Sequence, residues 1–144
     1  DRLAQMFAEE FDIDVTSISG GGAAGGLGGA LAALGGKLLP GFELVADELD
    51  LYDKLDGADL VITGEGCLDD TSSHGKVVGG IASIAAEHGI GVLAIVGSDD
   101  RRDGSTPAGI DVVSLVADYG EDDAFAEPKR LIELAASQWL AARR

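Results

Sequence analysis

Three short segments, ADLVIT (58–63), GVLAIVG (91–97) and IDVVSLVA (110–117), are apolar almost without interruption. A strand of this kind expects apolar neighbours on both faces, as in a parallel sheet covered by helices. This requirement restricts the fold more than any other feature, because parallel neighbours need a long crossover, usually a helix. The first two runs are separated by such a crossover. From Lys76 to His88, Val77, Ile81, Ile84 and Ala85 recur at helical spacing along one expected face, and Gly89 supplies the stop.

The remaining elements follow from the same periodicities. In DRLAQMFAEEF, Leu3, Met6, Phe7 and Phe11 form the stripe of an amphipathic helix. In GGGAAGGLGGALAALGG, Ala24, Leu27, Leu31 and Leu34 have helical spacing, and Gly35-Gly36 ends the run. A helix holding Gly25, Gly26, Gly28 and Gly29 loses roughly 1 kcal/mol per glycine relative to alanine. Close packing on another backbone, or a ligand at the helix start, is needed to compensate. PGFELVADELDLYDKL reads as one helix and a short second one, with Phe42, Val45 and Leu49 inward. The C-terminal segment from Glu121 reads as one helix, with Pro128 suited to a first turn and Leu131, Ala135, Gln138 and Trp139 near one face. The expected architecture is α/β: a doubly wound, mostly parallel sheet with helices on both faces, connected by right-handed crossovers. Residues 1–57 form a Gly-rich helical part and 58–144 a Rossmann-like strand–helix part. The polar loop 98–109 is the expected mobile segment.

Ten basic against 26 acidic residues leave a formal charge of −16. Duplex nucleic acid and anionic membranes both demand positive charge, so neither is an expected partner. A small anionic substrate remains compatible, since a few local cations and backbone N–H groups overcome a negative mean field. The single Cys67 excludes an intrachain disulfide and a Cys-based zinc cluster, and fits a reducing, cytoplasmic setting. No stretch approaches the ~20 apolar residues of a membrane span. The chain starts with Asp1 inside a helical pattern, which reads as a fragment of something longer.

The chemistry concentrates in GEGCLDDTSSHGK, 64–76, between the first strand and its helix. Ligands of open α/β sheets bind outside the carboxyl ends of the strands, where this loop emerges. Gly64 and Gly66 allow close backbone approach to a ligand. Lys76 adds a full charge to the positive end of the following helix, an anion site by position. Glu65 and Asp69 suit Mg²⁺, or a proton from an attacking hydroxyl, and His74 suits a phosphate oxygen. These are components of phosphoryl transfer. The same residues on an exposed loop also serve as helix caps or solubilising groups, and the sequence leaves both uses open. Cys67 has no neighbour that marks it as a nucleophile.

Two glycine motifs fail. Gly20, Gly22 and Gly25 satisfy G-x-G-x-x-G, but no convincing strand precedes them and no acidic residue follows at the required distance. Gly21 and Gly26 have the Walker A gap, yet Leu27 occupies the lysine position. A nucleotide bound here would not use a P-loop.

The Gly-rich segment, then ADLVITGEG, the Asp69 and HGK (74–76) signatures, GVLAIVGS and GIDVVSLV, in this order and spacing, resemble the C-terminal part of the bacterial glycerate kinases. That resemblance implies a fragment of a two-domain kinase whose active site lies between two α/β domains. It implies ATP- and Mg²⁺-dependent phosphorylation of D-glycerate, usually to the 2-phosphate, with glycerate and nucleotide as the partners. The family pattern GEGR-x-D-x-QT-x-x-GK carries onto Gly64, Glu65, Gly66, Asp69, Ser72 (for Thr), Gly75 and Lys76. Asp69 and Lys76 are the expected catalytic pair, and Glu65 with Asp69 the expected Mg²⁺ ligands. Gly64, Glu65, Gly66, Ser72, His74 and Gly75 are expected to hold substrate or phosphate, with Gly21, Gly22, Gly25 and Gly26 as a second ligand-facing loop. Cys67 stands where the family usually has Arg, and Thr71 where it has Gln. A thiol does not reproduce the planar guanidinium fork, so another cation compensates or glycerate binding weakens. A competing account follows from those substitutions: a divergent homologue that binds glycerate or nucleotide without turnover. The fragment alone is expected to be inactive, and to self-associate through surface that truncation exposes.

Overall fold

A computed structural model describes residues 2–70, 76–102 and 109–143. The chain forms two compact units, Asp1–Pro40 and Gly41–Arg144.

The first unit contains helix α1 (Arg2–Phe11), a 3-10 turn (Val15–Ser17) and helix α2 (Ala23–Ala33). The apolar stripe of α1 forms as expected, and the Phe7 and Phe11 rings lie 5.8 Å apart, yet none of its residues is buried. The turn is capped by Asp14, whose carboxylate accepts from the Thr16 N–H at 2.9 Å and from the Thr16 hydroxyl. Those bonds hold the Asp14 carboxyl below its ordinary value.

The α2 segment departs from a plain helix. Ala24, Gly25 and Gly26 have φ of 51°, 69° and 100°, so the chain turns left-handed before the right-handed helix proper. Gly28 and Gly29 answer the packing question raised by the glycine content. A Cβ at Gly28 would lie 2.6 Å from the Gly20 carbonyl oxygen, and one at Gly29 would lie 2.9 Å from that of Gly21. The helix is glycine-rich because it packs backbone against backbone. Leu27, Leu31 and Leu34 are exposed instead.

The second unit is the α/β body. Its elements are α3 (Gly41–Glu48), α4 (Leu51–Leu55), β1 (Leu60–Thr63), β2 (Cys67–Leu68), α5 (Val77–Glu87), β3 (Gly91–Val96), β4 (Ser98–Asp99) and β5 (Ile110–Ser114), then α6 (Leu115–Tyr119), α7 (Glu121–Ala126) and α8 (Pro128–Ala141). The main sheet is parallel with order β1-β3-β5, and Leu60 pairs with Gly91 and Val92 with Ile110. The central strand β3 is buried from Val92 onward. Its side chains alternate between two cores: Val92, Ala94 and Val96 pack towards α5, whereas Leu93 and Ile95 join Leu115, Ala124, Leu131 and Ala135 from α6, α7 and α8. Helices therefore cover both faces.

α3 and α4 belong with this sheet and not with the glycine-rich helices. The Phe42 ring fills the space that a side chain at Gly80 of α5 would need, and Leu51 packs on the same cluster. Several details of phase differ from expectation. Val45 and Leu49 are exposed, and Ala46 is the buried residue of α3. Val77 is half exposed, and Val78 takes its place beside Ile81, Ile84 and Ala85. Spacings of three and four both suit a helix, so the pattern alone does not choose between adjacent valines. The run IDVVSLVA is not all strand. Ser114 Oγ accepts from the Ala117 N–H at 3.3 Å and starts α6, a cap that converts the second half to helix. The C-terminal helix is two helices, separated at Glu127, with Pro128 opening the second. The Tyr119 hydroxyl donates to Gln138 Oε1 at 2.9 Å and ties α6 to α8. Among the described residues, no helix is long and apolar enough to cross a membrane.

Candidate functional site

The loops that leave β1 and β3 run side by side. Gly97 N–H donates to the Glu65 carbonyl at 3.1 Å, Ser98 N–H to Gly66 at 3.0 Å, and Asp100 N–H to Leu68 at 2.8 Å. The result is the two-strand parallel ladder β2-β4, pairing Cys67 with Ser98 and Leu68 with Asp99. Neither short strand was expected from the sequence. Gly64 owes its identity to this packing: a Cβ there would lie 2.1 Å from the Ile95 carbonyl oxygen. Gly66 has no atom within 4 Å of such a Cβ, so of the two it borders open space.

Beyond the ladder the chain places Asp69 and Lys76 together. Lys76 Nζ donates to Asp69 Oδ1 at 2.9 Å and to Oδ2 at 3.0 Å, with both side chains two-fifths exposed. Lys76 occupies the N-cap position of α5 in extended conformation, so its charge adds to the positive helix end. Hydrogen bonding to Asp69 raises the Lys76 pKa, and the charges of Asp69, Glu65 and Cys67 reinforce that shift. Two more ion pairs stiffen the neighbouring turn. Arg101 binds Asp99 through Nε at 2.7 Å and a terminal nitrogen at 2.6 Å, and Arg102 Nε lies 3.2 Å from Asp70 Oδ2. Cys67 is exposed, with its thiol 3.5 Å from Asp100 Oδ2.

A cavity of about 940 Å³ opens at the carboxyl ends of β1 and β3. Thr63, Gly64, Glu65 and Gly66 form one side of it, while Leu115, Ala124, Phe125 and Ile132 of the C-terminal helices form the other. Asp69 and Lys76 are not among its lining residues. Glu65 Oε1 is buried and has no hydrogen-bond partner among the described residues, an acceptor awaiting a donor or a cation. The far wall was not legible as a site, because α6 to α8 carry only ordinary helical patterning. The Gly97-Ser98 pair directly after β3 was the available signal, since it occupies a strand's carboxyl end.

The expected Ser72, His74 and Gly75 lie outside the described residues, as does half of the loop expected to be mobile. Gly21, Gly22, Gly25 and Gly26 line a separate hollow of about 360 Å³ in the first unit, with Leu3 and Val15 as apolar walls. Among the described residues, no charged side chain lines that hollow.

Mg²⁺ takes oxygen ligands octahedrally and commonly uses one or two carboxylates, completing its shell with water and phosphate. Glu65 fits that chemistry through its unpaired oxygen. Both oxygens of Asp69 are engaged by Lys76, and no cluster of three or more His, Cys, Asp or Glu side chains occurs among the described residues.

Comparison with known proteins identifies the family. The chain is 39% identical over 134 residues to a protein named glycerate kinase from Halalkalibacterium halodurans, covering 92% of this chain and 33% of that protein. It is 42% identical over 98 residues to the glycerate 2-kinase of Escherichia coli, covering 67% of this chain and 26% of the relative. A glycerate kinase of Bacillus cereus is 46% identical over 98 residues, covering 67% and 26% respectively. The chain thus spans about a third or less of the length of these curated relatives. The model of the glycerate kinase family itself matches residues 1–143, nearly every position of both units, and the chain belongs to that family.

Proposed function

We propose that the intact protein carrying these residues phosphorylates D-glycerate at the expense of ATP, with Mg²⁺, to give a phosphoglycerate, the 2-phosphate being the expected product. The observation that carries this reading is the Asp69–Lys76 pair at the start of α5, beside the sheet end where Glu65 keeps an unpaired carboxylate oxygen. Phosphoryl transfer needs little covalent chemistry from a protein, and most of its acceleration comes from positioning and charge neutralisation.

Lys76 supplies the positive charge for the transferring phosphoryl group, and Asp69 keeps that ammonium charged and aimed. A phosphate arriving at Lys76 competes with Asp69 for the same N–H donors. An Asp69 oxygen released in that exchange is available to accept the proton of the attacking hydroxyl. Glu65 would hold Mg²⁺, which when bound neutralises charge on the phosphate oxygens. Ser72, His74 and Gly75 would complete the phosphate contacts, and the Gly21–Gly26 segment would serve as a second ligand-facing loop. The 144 residues by themselves are expected to be inactive.

The test is glycerate-dependent ADP release by the intact protein at saturating Mg-ATP, with the product assigned by phosphorus NMR. Absence of ADP release under those conditions refutes the reading. Turnover by the 144-residue chain alone refutes the claim that it is inactive.

A further inference from the structure

We infer that the cavity at the sheet end takes the uncharged nucleoside half of the phosphoryl donor and excludes both the phosphates and glycerate. This rests on the kinase reading above and assigns the cavity of about 940 Å³ to one part of one substrate. Its chemistry is lopsided. Ile62, Ile95, Leu115, Ala124, Phe125 and Ile132 give it broad apolar walls. The ionisable groups on its lining are Glu65, Asp100 and Glu121, and no Lys, Arg or His lines it among the described residues. A bare phosphate or a glycerate carboxylate entering there would meet three carboxylates and no cation, in a chain of net charge −16.

A nucleoside has the opposite character. Its base offers flat apolar faces to the aliphatic walls and to Phe125, which stands 78% exposed at the site. Its amine and ribose hydroxyls are donors, and the polar side chains of the lining residues include acceptors: the Asp100 and Glu121 carboxylates, with the Thr63 and Ser98 hydroxyls able to act either way. The volume, about 940 Å³, is within the range of small-molecule sites. Glu65 marks the boundary, because its buried unpaired oxygen calls for a metal ion or a donor and repels an anion. The phosphates therefore run from Glu65 outward, and the nucleoside occupies the apolar interior.

Two substitutions test this in the intact protein. Phe125→Ala removes an exposed ring, and Ile132→Asp places a charge at a position 43% exposed, so neither threatens the core. Adenosine binding, measured by equilibrium dialysis, is expected to weaken at least tenfold in both variants. The KM for ATP is expected to rise by a similar factor, with the KM for glycerate within twofold of the parent and inhibition by inorganic tripolyphosphate unchanged. Adenosine that does not bind the parent, or binds both variants as well as the parent, overturns the inference. A rise in the KM for glycerate with that for ATP unchanged also overturns it. An intact protein that never phosphorylates glycerate defeats the kinase reading, while adenosine dialysis still decides the assignment of the cavity.

Discussion

Replacing Gly64 by alanine, with Gly66→Ala as its control, isolates what the GEG sequence does structurally. At Gly64 the new Cβ would lie 2.1 Å from the Ile95 carbonyl oxygen, whereas at Gly66 nothing lies within 4 Å. The Gly64 contact is roughly 1 Å shorter than the closest that packed interiors tolerate. The obstacle is the backbone of the central strand β3, so no side-chain rotation relieves it. Overpacking of a well-filled site costs about 1–3 kcal/mol, and a rigid backbone obstacle places this case near 3. That is a large share of the ~5–15 kcal/mol that stabilises a domain. For a body of this size it lowers Tm by about 12 °C. Gly66→Ala should stay within about 0.5 kcal/mol of the parent, as an unobstructed surface change does. Urea unfolding of the 144-residue chain reads both, followed by fluorescence of Trp139, the only tryptophan, which packs on the core beside Leu131. A Gly64→Ala midpoint indistinguishable from the parent, or an equal loss in Gly66→Ala, refutes the packing argument.

Lys76→Met in the intact protein should lower kcat/KM for glycerate phosphorylation at least about 100-fold, the scale of losing one charge-stabilising group. Its Tm should barely move, because a solvent-accessible ion pair contributes little net stability; a large Tm loss with activity retained contradicts the assigned role. Leu131→Ala, at a side chain 1% exposed, should destabilise the chain by about 2–5 kcal/mol in urea unfolding. Arg101 holds Asp99 below its ordinary carboxylate value, so the unfolded state binds the proton more readily. That contribution is present above about pH 4 and is lost as pH falls through the depressed folded value, so Asp99→Asn should flatten the acid limb of stability against pH. Equal acid slopes for parent and variant would show that the Arg101 contact contributes nothing. Lys76 has the opposite sign: its raised pKa gives a contribution present below about pH 10.5 that disappears as pH rises through the folded value.

The three strands of the main sheet, β1, β3 and β5, were legible because burial on both faces leaves a composition that little else produces. β3 shows this most clearly, with Val92, Ala94 and Val96 on one side and Leu93 and Ile95 on the other. Helix phase was less legible: α5 turns Val78 inward, where it packs with Leu68, Ala94 and Val96, and Val77 outward. The switch from strand to helix at Ser114 was hidden because Leu115 and Val116 suit either state, and the cap decides. Position after a parallel strand pointed to Glu65, Asp69 and Lys76 as candidates; Glu65 lines the cavity, and Asp69 pairs with Lys76 outside its lining. The opposite wall, from Leu115 to Ile132, required knowing how α6, α7 and α8 fold back over β3, which depends on contacts distant in sequence. Gly64 adds a reason that the sequence did not disclose: it lines the cavity, and the Ile95 carbonyl leaves no room there for a side chain.

The β2-β4 ladder has a consequence for redesign. Because Gly66, Leu68 and Glu65 accept from Ser98, Asp100 and Gly97, the two connecting segments are stitched and cannot be exchanged one at a time. A graft that changes the length or backbone path around Cys67 leaves the N–H donors of Gly97, Ser98 and Asp100 without acceptors, so a transplanted loop of different conformation needs its companion stretch with it. Side-chain substitutions that keep the backbone path leave the seam intact, because every acceptor in it is a main-chain carbonyl.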